Sequence, residues 1–251
     1  MISDLAIMLA NGITVPAYTT YTERDYEYLI DDCKPSAIIV SDETQYNKIK
    51  DVIKLKPFIK SVISFENFQN NKKITFIKNI FNKKKFREKD LLSLKIKRND
   101  IACIIYTSGT QGSPKGVMLS HGGILNNCEG SITLLKKIIS KKPKFLTWLP
   151  LSHSYEHTIQ FVQIAIGARV FYAESIDKLI KNMSECSPDI MTAVPRFYQN
   201  LYQKITTNFK KAKGFKKYLI NKMLELGKKI LFKEKLSFGE KIENLICEKL
   251  V

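Results

Sequence analysis

Residues 104–117, Ile-Ile-Tyr-Thr-Ser-Gly-Thr-Gln-Gly-Ser-Pro-Lys-Gly-Val, combine glycine, hydroxyl and amine groups at a spacing suited to phosphate. An apolar run at 101–106 reads as a strand that leads into this segment. Gly109, Gly112 and Gly116 permit positive φ and close approach of the backbone to a ligand. Thr107, Ser108, Thr110 and Ser113 add hydroxyl donors, and successive backbone N–H groups in such a loop form an anion-binding nest. Lys115 supplies one positive charge on a long stem. These are the parts needed to grip a polyphosphate. The loop is not of the GxxxxGK[ST] type, because Pro114 precedes the lysine and Gly116 follows it.

A second candidate constellation lies at 149–157, Leu-Pro-Leu-Ser-His-Ser-Tyr-Glu-His. His153 and His157 are four apart and would share one face of a helix, as metal ligands can. No third histidine or clustered cysteine accompanies them, which argues against zinc. The plain alternative for His153 is a histidine that satisfies a helix terminus. Trp148 and Tyr155 read either as pocket wall or as core.

The elements that must position these groups alternate. Short β-branched runs at 13–17, 37–41, 62–65, 101–106, 144–149, 168–173 and 189–194 read as strands. The stretches at 121–139, 154–166, 176–185 and 196–207 have helical period, as does Glu-Arg-Asp-Tyr-Glu-Tyr-Leu-Ile-Asp-Asp-Cys at 23–33. Strands separated by helices imply crossovers, hence an α/β fold with mainly parallel sheets flanked by helices. Residues 66–100 are polar and lysine-rich and read as a surface excursion. Beyond 205, Phe215, Leu219, Met223, Leu226 and Ile230 form one apolar stripe on a basic helical segment. Packing on its own protein is the favoured reading of that segment, and peripheral contact with an anionic membrane the other.

The quoted motifs resemble a known family. Tyr-Thr-Ser-Gly-Thr-Gln-Gly-Ser-Pro-Lys-Gly-Val at 106–117 resembles the phosphate-binding motif of the adenylate-forming enzymes, which include acyl-CoA synthetases, luciferases and peptide-synthetase adenylation domains. Gln111 replaces a threonine of their usual form, YTSGTTGxPKGV. Residues 149–157 resemble the LPLxHxxE segment of long-chain acyl-CoA synthetases. Residues 193–202, Ala-Val-Pro-Arg-Phe-Tyr-Gln-Asn-Leu-Tyr, resemble VPRxxExxY. The start, Ser-Asp-Leu-Ala-Ile-Met-Leu-Ala-Asn-Gly-Ile-Thr-Val-Pro-Ala-Tyr-Thr-Thr, resembles ADLAxxxAGxxxVPxYPT.

The resemblance implies part of the large N-terminal domain of such an enzyme, with 1–100 a first α/β portion, 101–205 the phosphate-loop and acyl-pocket portion, and 206–251 a basic helical segment. It implies a long-chain fatty acid–CoA ligase that uses ATP, Mg2+ and coenzyme A. Thr107, Ser108, Gly109, Thr110, Gln111, Gly112 and Lys115 would hold the nucleotide's phosphates, and Thr107 would also help bind the metal. Lys115 and His153 would be the catalytic residues, His153 lining the acyl pocket near the reacting carboxylate. Transfer to a carrier protein, or a non-catalytic nucleotide-binding or membrane-associated remnant, are the competing readings. The family's later YGxTE-like motif does not occur in the sequence, nor does its ribose-binding aspartate motif or its C-terminal domain. The expectation is therefore a partial chain, inactive as a ligase by itself.

Composition narrows the classes further. The chain has 251 residues, 44% of them hydrophobic, enough for a substantial core. Its net charge is +17, but 36 of its 41 basic residues are lysine and the arginine forks and interleaved aromatics of a nucleic-acid reader are missing. No apolar run approaches the roughly 20 residues of a spanning helix. The five cysteines are scattered, without CxxC spacing, which reads as a reduced, cytoplasmic setting.

Overall fold

The structure, a computed structural model, describes residues 1–68, 74–81, 94–107, 114–137, 139, 142–232, 236–237 and 239–244. From the N-terminus come α1 (Ile2–Leu9), α2 (Glu23–Cys33), β1 (Ala37–Val40), α3 (Glu43–Lys54), β2 (Ser61–Ser64), β3 (Ile74–Phe76) and α4 (Ile77–Phe81). Then follow β4 (Ile101–Thr107), β5 (Lys115–Ser120), α5 (His121–Leu135), β6 (Lys144–Thr147), α6 (Ser154–Ala165), β7 (Arg169–Tyr172), α7 (Leu179–Cys186) and β8 (Ile190–Met191). Helices α8 (Pro195–Lys211) and α9 (Gly214–Leu231) come last. The chain divides into two compact units, Met1–Thr192 and Ala193–Val251.

The first unit is built on three small sheets. Strands β1, β2 and β3 pair in parallel in that order, and β6 lies between β7 and β8, parallel to both. Parallel neighbours need crossovers, supplied by α3, α6 and α7. Strands β4 and β5 form an antiparallel hairpin that runs into α5. The expected α/β architecture, with mainly parallel sheets flanked by helices, is the one found.

Helix starts follow from local sequence. Thr22 and Asp25 close a capping box on α2: the Thr22 hydroxyl accepts from the Asp25 N–H and the Asp25 carboxylate accepts from the Thr22 N–H. Asp42 caps α3 and Ser120 caps α5 in the simpler way. Each such cap contributes about 1 kcal/mol by satisfying an orphan donor.

Several expectations are corrected. Residues 13–17 are not a strand; Thr14 makes a single bridge to Cys103, exchanging N–H and carbonyl bonds with Ala102 and Ile104. Pro16 lacks the N–H needed to extend that pairing. Residues 115–120 are a strand, hidden in the sequence by the glycine motif that opens it. The excursion at 66–100 contains β3 and α4. The strand expected at 189–194 shortens to Ile190–Met191, ahead of Pro195, which stands in the first turn of α8.

The centre of β4 is the core of the first unit. Ala102, Cys103 and Ile105 pack with Met8 of α1, flanked by Leu119, Ile124 and Phe161. In the second parallel sheet and the helices beside it, Phe145 and Leu146 of β6, Val162 of α6 and Leu179 of α7 are fully buried. Each large apolar side chain buried in this way contributes roughly 1.5–3 kcal/mol.

The second unit is largely the helix pair α8 and α9. Leu226 is buried and Leu219 and Met223 are half-buried, but Phe215 and Ile230, at the ends of the expected stripe, are 71% and 49% exposed. Ile220, outside the stripe, is buried instead. The extended Ala212 and Lys213 and the positive φ of Gly214 separate α9 from α8. Among the described residues, no helix is long and apolar enough to cross a membrane.

Candidate active site

Strand β4 ends at Thr107 and β5 begins at Lys115, and these two residues are cross-strand partners. The hairpin thus sets the hydroxyl and the amine opposite each other at the neck of the glycine loop, both on exposed residues. Ser108, Gly109, Thr110, Gln111, Gly112 and Ser113 lie outside the described residues. Gly116 has no positive φ; it is a strand residue paired with Tyr106. A Cβ at Gly116 would come within 2.9 Å of the Ile104 side chain and 3.1 Å of the Tyr106 ring. The space a side chain would need at this glycine is filled by Ile104 and Tyr106 of its own hairpin.

Both feet of the loop are held by α2. The Tyr106 hydroxyl donates to Asp32 at 2.5 Å, and the Tyr28 hydroxyl donates to the Pro114 carbonyl at 2.8 Å. Burial, and then this bond to Asp32, push the Tyr106 hydroxyl well above the usual phenol range, so it stays protonated and remains a donor.

An open cleft of about 400 Å³ lies at this neck. Tyr106, Thr107 and Pro114 form one wall, Ser152, His153 and Ser154 a second, and Tyr18 and Tyr21 a third. Its size falls in the range of roughly 300–1,000 Å³ typical of small-molecule sites. Thr107 and His153 thus line one cleft, and Lys115 is the cross-strand partner of Thr107 beside it. An ammonium group suits a polyphosphate, and a hydroxyl oxygen suits either a phosphate or its magnesium ion.

His153 is a helix cap with a face on the cleft. It is the N-cap of α6, its Nδ1 accepting from the Tyr155 N–H at 3.3 Å, and it also lines the cleft. A neutral imidazole that accepts at Nδ1 carries its proton on Nε2, so its remaining edge is a donor.

His157 is elsewhere. It is 2% exposed, with Nε2 2.8 Å from Asp4 and Nδ1 3.8 Å from the Cys103 sulfur. The other Asp4 oxygen accepts from Thr14 at 2.8 Å. Cysteine, histidine and aspartate in series have the residue types of a nucleophilic triad, but Cys103 is fully buried. Burial, and then the charge of Asp4, push its thiol up to about 12. A thiol so held is inert. The i,i+4 spacing does not place the two histidines together, because His153 stands outside the helix as its cap.

Glu156 is also fully buried, accepting from Gln160 at 2.9 Å and from Thr192 at 2.6 Å. Gln160 and Gln163 both donate to Thr147, and Tyr172 donates to Gln160. The Trp148 indole donates to the Thr192 carbonyl, while Tyr155 is 47% exposed; neither lines the cleft. Arg196 is exposed in the first turn of α8. The sequence reading missed Tyr28 and Asp32, which look like the solvated face of α2. Their one signal was an i,i+4 spacing on a helix that also carries an apolar face.

Comparison with known proteins places this geometry. The long chain acyl-CoA synthetase 4 of Arabidopsis thaliana is 30% identical over 229 residues, which are 84% of this chain and 34% of that protein. The human long-chain-fatty-acid–CoA ligase ACSBG2 is 29% identical over 233 residues, 86% of this chain and 34% of its own length. The chain thus spans about a third of the length of these relatives. A long-chain-fatty-acid–CoA ligase from Archaeoglobus fulgidus shares the fold with a TM-score of 0.70 at 20% identity, over 82% of this chain and 39% of that one. ATP-bound MatB from Rhodopseudomonas palustris does so with a TM-score of 0.59 at 21% identity, over 80% and 38%. Residues 1–245 match the family of AMP-binding enzymes, and the chain belongs to that family.

Proposed function

We propose that this chain carries the phosphate-gripping part of an AMP-forming long-chain fatty acid–CoA ligase. The observation that supports this reading best is the cross-strand pair Thr107 and Lys115 at a cleft shared with His153. The relatives named as long-chain acyl-CoA synthetases point to the acyl substrate.

In the reaction a fatty-acid carboxylate oxygen attacks the α-phosphorus of ATP. The bond from that phosphorus to the bridging oxygen breaks, and pyrophosphate leaves with the electron pair. Coenzyme A thiolate then attacks the acyl carbon and AMP departs, giving the thioester. Lys115 and the donors carried by Ser108 to Gly112 neutralise charge as it grows on the leaving pyrophosphate. Thr107 shares in holding the magnesium ion, which when bound supplies Lewis-acid charge at the phosphate oxygens. The donor edge of His153 orients the carboxylate for in-line attack. Free cysteines at 33, 103, 128 and 186 fit a cytoplasmic setting, and the basic residues of α9, beside exposed Phe215 and Tyr218, suit a peripheral contact with an anionic membrane face.

The test is isotope exchange between pyrophosphate and ATP by the protein that carries this chain. Exchange that requires a long-chain fatty acid is the expected outcome. Exchange driven by an amino acid and not by fatty acids would overturn the substrate class.

A further inference from the structure

The phosphate motif joins two antiparallel strands whose pairing ends at Thr107 and Lys115. Where that pair stands depends on whatever holds the chain beside it. On β4 that contact is Tyr106, whose hydroxyl reaches Asp32; on the approach to β5 it is Pro114, whose carbonyl is reached by Tyr28. Tyr28 and Asp32 are four apart on α2 and so lie on the same face, one helical turn of about 5.4 Å from each other. Two strands of one hairpin are thus fastened to two successive turns of one rigid element.

The fastening is well founded on both sides. Leu29 and Ile30 bury α2 in the first unit, Lys56 pairs with Asp31 at 2.6 Å, and the capping box fixes its start. On the loop side, proline fixes its own φ and so aims its carbonyl. The missing side chain of Gly116 lets the Tyr106 ring lie across β5 on its way to Asp32. The Tyr26 hydroxyl of the same helix donates to the Tyr18 carbonyl at 2.7 Å, tying in the third wall of the cleft.

We propose that Tyr28 and Asp32 are positioning residues that brace Tyr106 and Pro114 from α2 and so fix where Thr107 and Lys115, at the two feet of the phosphate loop, stand to receive a polyphosphate. This rests on the loop being the pyrophosphate grip. The brace acts by removing, before binding, the freedom that the ligand would otherwise have to freeze out. Neither residue touches the reacting atoms. Both are exposed, so substituting them leaves the core intact.

The test uses Asp32→Ala, Tyr28→Phe and Tyr106→Phe in the protein that carries this chain, with two readouts. The first is hydrogen–deuterium exchange of the peptide spanning 106–117, expected to quicken about 5- to 10-fold in Asp32→Ala and Tyr28→Phe while α5 and β6 keep their protection. The second is titration with magnesium pyrophosphate, expected to weaken about 3- to 10-fold per variant, the worth of one hydrogen bond. Asp32→Ala and Tyr106→Phe combined should weaken binding no more than either alone, since they break one bond. Asp32→Asn keeps an acceptor for Tyr106 and should recover most of the loss. Unchanged loop exchange overturns the brace. So does faster exchange spread over the whole unit with pyrophosphate affinity intact, which would make the bonds merely structural. If the unsubstituted protein binds no pyrophosphate, the reading of the loop as a grip falls, and with it the polyphosphate clause, while loop exchange still decides whether α2 braces the hairpin.

Discussion

The motif at 149–157 has two ends with opposite fates. At one, Ser152, His153 and Ser154 line an open cleft, with His153 keeping one ring edge beyond its cap bond. At the other, Glu156 and His157, the third and fourth residues of α6, are engaged inside the protein with Thr192, Gln160, Asp4 and Cys103. Each end carries a histidine among polar neighbours. What separates them is whether their hydrogen-bonding capacity is already filled. A buried carboxylate with both oxygens bonded holds elements together, and a cleft-lining imidazole with an edge left over can meet a ligand.

The open end can be tested most strongly from across the cleft. Lys115→Ala removes a charge from the neck of the loop, where the proposed reaction develops negative charge on the leaving pyrophosphate. Single-turnover adenylation should slow about 10²–10³-fold, the usual cost of losing one such donor. Transfer from preformed acyl-adenylate to coenzyme A should change little. Lys115 is exposed, so stability should stay within about 0.5 kcal/mol. Unchanged adenylation in rapid-quench experiments would remove Lys115 from the grip.

The two histidines give the direct contrast. His157→Ala strips Asp4, 6% exposed, of one of its hydrogen-bond partners, leaving Thr14, and opens a void beside Phe161, whose ring is edge-on to the imidazole at 5.1 Å. Urea unfolding should show a loss of about 2–4 kcal/mol. His153→Ala removes only a helix cap, about 1 kcal/mol, yet should lower adenylation well beyond what that loss explains. The reverse pattern, a stable His157 variant beside an unfolded His153 variant, would dissolve the distinction between the two ends.

How much of this could be seen in the sequence follows the same divide. Thr107 and Lys115 were legible because glycines and hydroxyls crowded between a strand and a lysine have few other uses. The parallel sheets were legible because β-branched runs alternated with helical period. The hairpin partner at 115–120 was not, because its first residues read as loop chemistry until pairing with 101–107 revealed a strand. Nor was the buried polar face of α6 legible: Glu156, Gln160 and Gln163 have the spacing of a solvated face, and only the donors and acceptors brought by Thr147 and Thr192 reverse that. Tyr28 and Asp32 belong to the same class, since their partners lie 86 and 74 residues away. Polar residues that bond across such distances leave no local signature.

The smallest effect expected tests how closed the buried end is. Cys103 is fully buried, and its thiol is pushed up to about 12 from an ordinary value of 9.0. Between those two values the unfolded chain releases this proton while the folded chain keeps it. Unfolding is therefore favoured as pH rises, and the stability contributed by the neutral thiol, complete below pH 9, is lost through that window. One such group steepens the alkaline decline by up to about 1.4 kcal/mol per pH unit. Cys103→Ala should flatten the decline by that amount in urea titrations from pH 8 to 10.5, and native Cys103 should resist iodoacetamide at pH 8. Rapid alkylation of Cys103 in the folded protein would show that the buried end opens to solvent, and His157 and Asp4 would then regain the freedom that now distinguishes His153.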